Sequence, residues 1–136
     1  MDGWLARRRR AVTHARDRGA ASLELAIVFP VVLLLIFAGF ETSTYYFGRS
    51  LALAAAQEGV REARIQPADI NRGMAAAQAY IDQTSNGTLT DVQIIPGGTA
   101  EEVELTVVAR VVDLTGGILN LTVSQTASGP VERPSR

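Results

Sequence analysis

Glu24 is the residue whose type and surroundings most clearly call for chemistry, because it is the only charged side chain in residues 20–40. An uncharged, apolar run of this length is typical of a helix that faces lipid. A carboxylate near such a helix costs a few kcal/mol of free energy unless a partner neutralises it. An ionisable residue in such a position therefore indicates pairing with a cation. The alternative is that Glu24 marks the interfacial end of the helix, with its side chain extended toward the headgroups.

Few other residues in the sequence are suited to catalysis or metal binding. His14 is the only histidine and there is no cysteine, which excludes histidine triads, disulfides and thiolate metal sites from the rest of the chain. Glu101, Glu102 and Glu104 are more typical of a solvated turn and strand edge than of a cation site. Two glycine pairs lack the lysine of phosphate-binding loops and indicate turns. We predict no catalytic residue, no metal ligand, no cofactor and no small-molecule substrate, so the chain is not expected to be an enzyme.

An uncharged stretch, residues 25–40, follows a strongly basic N-terminus. Residues 1–19 contain six arginines and two aspartates, whereas the remainder of the chain is acidic and gives no electrostatic footprint for nucleic acid. With residues 20–24 leading in and Tyr45, Tyr46 and Phe47 forming an aromatic belt, the pattern predicts a membrane helix with a cytoplasmic N-terminus. The alternatives are a cleaved secretory signal, for which residues 38–41 supply only a poor cleavage site, and a buried core helix.

The junction between the basic segment and the apolar helix has the sequence RDRGAASLE, residues 16–24. It resembles the type IV prepilin processing site. The resemblance implies that a membrane aspartic peptidase cuts between Gly19 and Ala20 and methylates the new amine, which makes Glu24 the fifth residue of the mature chain. The Glu24 carboxylate would then neutralise the Ala20 amine of its own or a neighbouring subunit and set the axial register of an assembly. Glycine at position 19 favours an accessible, non-helical backbone.

The longer stretch RGAASLELAIVFP, residues 18–30, is similar to the TadE-like family of pseudopilins or minor pilins in the tight-adherence (Flp pilus) system. Gly19, Glu24 and Pro30 match the family pattern, and Leu25 stands where the family usually has an aromatic residue. Residues 119–127 resemble the last strand of that family. The resemblance implies a membrane-bound subunit whose partners are a prepilin peptidase, other pilin-like subunits and the pilus assembly platform.

Pro30 lies within the predicted membrane helix. Proline removes one backbone donor and is expected to kink the helix there. The kink would help the helix to pack in a filament, but proline is also common in ordinary membrane helices.

A stripe of small residues extends along the helix after the membrane segment. Their spacings of three and four place them on one narrow face, which lets another element approach closely. This face would form either a seam between subunits or, as we favour, the underside of the chain's own sheet. The stripe consists of Gly48, Ala52, Ala56, Gly59 and Ala63.

The remaining sequence predicts a small α+β domain with a pilin-like plan. Pro67 ends the long helix, and Asp69 is a candidate N-cap for a second helix over residues 70–83. A turn at residues 85–88 leads to strands at about 89–95 and 102–112, separated by a turn at Pro96-Gly97-Gly98. After Thr115-Gly116-Gly117, a third strand alternates through Leu119, Leu121 and Val123. Together these elements form a long N-terminal membrane helix, a short second helix and a three-stranded antiparallel sheet.

The predicted organisation has four segments, and two functions fit it. The leading hypothesis is a membrane-anchored pseudopilin or minor pilin for a tight-adherence pilus or related secretion machine, located in the cell membrane with the C-terminal domain outside. The rival is an uncleaved, single-pass membrane-anchored extracytoplasmic binding module. The segments are a basic cytoplasmic leader (1–19), a transmembrane helix (20–47), an extracytoplasmic α+β domain (48–128) and a disordered tail (129–136).

Overall fold

The computed structural model describes the backbone of residues 3–133 and the side chains of residues 19–133. It confirms the predicted α+β architecture of a long helix, a short helix and a three-stranded antiparallel sheet. A boundary between two compact units falls between Gly39 and Phe40. The elements are α1 (Gly3–Ala63), α2 (Ile70–Thr84), β1 (Leu89–Gly98), β2 (Glu102–Val111) and β3 (Thr122–Pro130).

Helix α1 passes through Gly19, so the prediction of a non-helical backbone at that residue is wrong. A single glycine costs only about 1 kcal/mol relative to alanine inside a helix. Ala20 and Ala21 follow it directly and are the strongest helix formers, so the local sequence offsets the glycine. The same helix contains Pro30, whose nitrogen has no hydrogen to donate to the carbonyl of Ala26.

In the unit before Phe40, the large apolar side chains from Leu23 onward are exposed. The part of α1 from Gly19 to Ala63 contains a stretch that is long and apolar enough to cross a membrane. A helix that is apolar on all faces needs an apolar environment around its whole circumference. The described residues of this unit do not supply that environment.

The second unit is built on the C-terminal part of α1, whose small-residue stripe lies against the sheet and α2. A Cβ atom built on Gly48 would lie 2.6 Å from a methyl group of Val111, and one on Gly59 would lie 2.6 Å from a methyl group of Leu105. Ala52 and Ala56 are fully buried in the main hydrophobic cluster. The favoured interpretation of the stripe, as the underside of the chain's own sheet, is confirmed.

Strand β2 lies at the centre of the sheet and pairs antiparallel with β1 on one side and β3 on the other. Its alternating apolar residues all point into the core, as the period of two predicts. Opposite Arg110, the register shifts between Thr90 and Gln93, and Asp91 adopts a positive φ of 50° in this bulge. The buried β2 side chains are Val103, Leu105, Val107, Ala109 and Val111.

Helix α2 begins at the predicted N-cap, where the Asp69 side chain accepts a hydrogen bond of 2.9 Å from the amide of Asn71. Its second polar attachment is Arg72, which donates to three backbone carbonyls around the end of α1. The distances are 2.9 Å to Glu62, 2.6 Å to Ile65 and 3.1 Å to Pro67. The Glu62 carbonyl is one of the acceptors that the end of a helix leaves unpaired, and the other two belong to the segment that follows α1.

Replacing Arg72 with leucine is expected to destabilise the second unit by about 1–3 kcal/mol, because it removes three hydrogen bonds from a charged donor, one of them to the part-buried Glu62 carbonyl. The matched control is Arg61→Leu, since the Arg61 side chain is 62% exposed and forms ion pairs with Glu58 and Glu62. Exposed ion pairs contribute about 0–1 kcal/mol. Thermal unfolding followed by circular dichroism compares the two. Equal melting temperatures would show that the three carbonyl contacts contribute nothing.

The turns match the prediction at two of three places. Asn86 and Gly87 both have positive φ, and the Thr88 amide bonds to the Ser85 carbonyl at 2.8 Å, so the turn at residues 85–88 is confirmed. Gly116 and Gly117 also have positive φ in the predicted turn after β2. The turn placed at residues 96–98 is wrong, because β1 continues through Gly98 and the chain reverses at residues 99–101. Strand β1 is an edge strand, where proline is tolerated.

The third strand and the C-terminus also differ from the prediction. Strand β3 starts at Thr122 rather than near Leu119, and it continues through Gly129 and Pro130, which the sequence placed in a disordered tail. Beyond it, the amide of Val131 bonds to the Glu101 carbonyl at 2.9 Å, and Arg133 pairs with the Glu101 carboxylate at 2.6 Å. The predicted tail therefore begins too early, and its last residues, 134–136, lie outside the described residues.

Candidate assembly segment and membrane anchor

Gly19 and Ala20, the predicted processing residues, lie side by side on an exposed part of α1. A Cβ atom placed on Gly19 would meet nothing within 4 Å. The peptide bond between the two residues is therefore sterically open among the described residues, although it lies within a helix. The side chains of residues 1–18, which include the leader arginines and His14, lie outside the described part of the chain.

Glu24 lies four residues after Ala20 in the same helix, and its side chain is exposed. Residues four apart on an α-helix lie on the same face, with Cβ atoms about 5–6 Å apart. Positions 20 and 24 therefore lie on one face of the helix, about one turn apart. The arrangement can hold a positive charge at position 20 beside a negative charge at position 24, if a free amine is generated there.

Pro30 lies six residues further along α1, among exposed apolar side chains. The geometry brings Gly19, Ala20 and Glu24 together within about two turns, whereas Pro30 lies about 9 Å beyond Glu24 at 1.5 Å per residue. Pro30 is therefore separate from the processing and register residues, and any role it has concerns helix shape.

A second acidic residue, Glu41, was missed by the sequence reasoning. Its Oε1 atom accepts a 2.6 Å hydrogen bond from the backbone amide of Leu114, which is 73 residues away in the sequence. Its Oε2 atom is buried and has no hydrogen-bond partner among the described residues. The sequence does contain one indication that Glu41 has a role. It is the first charged residue after the uncharged stretch of residues 25–40.

Glu41 holds the loop between β2 and β3, residues 112–121, which we call the β2–β3 loop. Within this loop, the Asp113 carboxylate accepts bonds from the Thr115 hydroxyl at 2.5 Å, the Thr115 amide at 2.8 Å and the Gly117 amide at 2.9 Å. These bonds, first among them that from the Thr115 hydroxyl, lower the pKa of Asp113 below its ordinary value. The carboxylate is therefore charged at neutral pH and holds the turn closed.

In a comparison with protein families, the model for the TadE-like protein family matches residues 19–61. This confirms the family resemblance for that segment, which covers Gly19, Glu24, Pro30 and Glu41 but none of the sheet. Residues 119–127, whose likeness to the family's last strand the sequence suggested, lie outside the match. The family consists of pilus-related structural proteins and not of enzymes. No curated protein and no solved structure matches the chain.

Proposed function

From the TadE-like character of residues 19–61, we propose that the chain is a pseudopilin or minor pilin of a tight-adherence pilus or related secretion machine. The family match carries this proposal. In it, α1 anchors the chain in the cell membrane by a single pass, the N-terminus is cytoplasmic and the unit from Phe40 onward lies outside. The chain is a structural subunit with no catalytic function of its own.

The exposed apolar surface of α1 supports an anchoring and assembling role. Side chains from Leu23 to Phe40 are exposed on every face of the helix, so a bilayer can surround them. In lipid, the hydrophobic effect does not drive such helices together. Their association depends instead on close packing and on polar contacts. Glu24 is the polar residue in the described part of this stretch, which makes it the residue best placed to specify how two copies align.

In this proposal, cleavage of the leader gives the Glu24 carboxylate a positively charged partner. Cleavage between Gly19 and Ala20 removes the basic leader and creates an amine one helical turn from Glu24. The charge pair then forms within one subunit or between a subunit and its neighbour, where it offsets the cost of a carboxylate at the membrane. A peptidase that cuts here must first unwind the helical turn at Gly19, and a glycine makes that step less costly than any other residue except proline.

The partners that follow from this proposal are a prepilin peptidase, other pilin-like subunits and the assembly platform. The rival function, an uncleaved anchored binding module, requires the same helix and the same orientation but no processing. The state of the N-terminus therefore distinguishes the two functions.

The mass of the chain purified from its native membrane is expected to correspond to loss of residues 1–19. Intact-protein mass spectrometry makes the measurement and also detects a methyl group on the new amine. Gly19→Leu is expected to leave the chain unprocessed, because it places a bulky side chain at the cleaved bond. Gly39→Leu is the matched control, since a Cβ atom placed on either glycine would meet nothing within 4 Å. A functional wild-type chain with its N-terminus intact would favour the anchored module.

A further inference from the structure

The β2–β3 loop exposes an unusual number of large apolar side chains. Ile118 is 84% exposed, Leu114 60% and Leu119 50%. Connecting loops of water-soluble domains are normally polar at their tips, and contiguous exposed apolar side chains mark a contact surface. The loop at the other end of β2, residues 99–101, has the ordinary composition Thr-Ala-Glu.

Glu41 fixes the position of this loop along helix α1. The Leu114 amide lies 2.6 Å from the Glu41 carboxylate, and Glu41 directly follows the uncharged stretch of α1. Thr44 lines the same cleft as Val112 and Leu114. The β2–β3 loop is therefore held beside the outer end of the predicted transmembrane helix, immediately after the uncharged stretch, where interfacial aromatic residues are expected.

Most amides of the loop already have an acceptor within the chain, which lowers the cost of bringing this backbone against lipid. Its only charged residue, Asp113, is buried against the turn, so the apolar side chains and not the carboxylate face outward. The amides with internal acceptors are those of Val111, Val112, Leu114, Thr115, Gly116, Gly117 and Leu119.

From these observations we propose that the β2–β3 loop inserts Leu114, Ile118 and Leu119 into the outer interface of the same membrane that α1 crosses, as a second lipid contact. The occupant is lipid and not a second protein, because the loop is tied to the first turn of α1 after the uncharged stretch of residues 25–40. The inference rests on the membrane anchoring in the proposed function. It does not depend on cleavage at Gly19 or on pilus assembly.

The absence of cysteine from the sequence permits a direct test with the full-length chain. Ile118→Cys carries an environment-sensitive nitrobenzoxadiazole label, and the protein is reconstituted at low density in phosphatidylcholine vesicles. Quenching by doxyl-labelled lipid is compared with quenching by aqueous iodide. Ala100→Cys, in the exposed loop at the other end of β2, is the matched control, and Leu119→Cys guards against a perturbation specific to one site.

At Ile118 and Leu119, we expect a blue-shifted emission, several-fold stronger quenching by doxyl lipid than at Ala100, and several-fold weaker quenching by iodide. Equal iodide quenching at all three positions would place the loop in water and overturn the proposal. Protection from both quenchers would show that protein covers the loop, which also overturns it. An unprocessed chain must give the same quenching as a processed one, so failure of the pilin function leaves this test intact.

Discussion

Replacing Glu24 with alanine is expected to abolish assembly while the chain stays in the membrane. Removing a carboxylate does not hinder insertion of the helix, because an ionisable side chain at the membrane is itself costly. Where the pair joins two subunits, an amine and a carboxylate about 4 Å apart gain about 4 kcal/mol at an effective dielectric constant of 20, which corresponds to about a thousandfold in association. Co-purification of two differently tagged copies from membranes measures assembly, and resistance to carbonate extraction measures insertion.

Two further variants separate charge from other effects at this position. Glu24→Gln keeps the size of the side chain but not its charge, so we expect it to lose assembly as Glu24→Ala does. Glu58→Ala makes the same change on an outer turn of α1, where the glutamate pairs with the exposed Arg61 at 2.5 Å, and should leave assembly unchanged. If an unprocessed Glu24→Ala chain still assembled and functioned, the pilin interpretation would be lost.

Replacing Gly73 with leucine is expected to unfold the unit from Phe40 onward. A Cβ atom at position 73 would lie 2.5 Å from the Gly59 carbonyl oxygen and 2.5 Å from the Ala63 Cβ atom. These neighbours belong to α1 itself, so relief requires the two helices to separate. Even Gly73→Ala is expected to cost about 1–3 kcal/mol through overpacking, which exceeds the gain of up to about 1 kcal/mol from helix propensity.

Thermal unfolding followed by circular dichroism tests this expectation in the detergent-solubilised full-length chain. For a domain of this size, 1 kcal/mol shifts the melting temperature by about 4–8 °C. Ala79→Leu is the control, because Ala79 is exposed on the same helix α2. A Gly73→Leu chain that melts with the Ala79→Leu chain would mean that α1 and α2 do not approach as closely as the small residues permit.

The elements that the sequence predicted correctly are those governed by local pattern. The alternation in β2 and the Asp69 cap of α2 depend only on neighbouring residues, and both were predicted. The start of β3 was not, because Ile118, Leu119 and Leu121 look like strand residues although the first two are exposed in a loop. Their environment is decided by contacts distant in sequence.

The candidate site was predictable to a similar extent. The spacing of Gly19 and Glu24 is visible in the sequence and led to the family resemblance that the family model confirms over residues 19–61. The bond between Glu41 and the Leu114 amide joins residues 73 positions apart, and no periodicity encodes it. Cleavage at Gly19 and pairing by Glu24 remain predictions, because both depend on partners outside a single chain.

The segment after β3 is attached to Glu101, and this attachment decides from which end of the sheet a reporter group fused to the C-terminus would start. Val131 and Arg133 both bond to that residue, which lies just before β2, whereas the β2–β3 loop follows the other end of the same strand. A strand of ten residues spans about 33 Å at roughly 3.3 Å per residue. An epitope or fluorescent protein fused to the C-terminus therefore starts from the end of the sheet opposite Glu41 and leaves that residue's surroundings free for labelling.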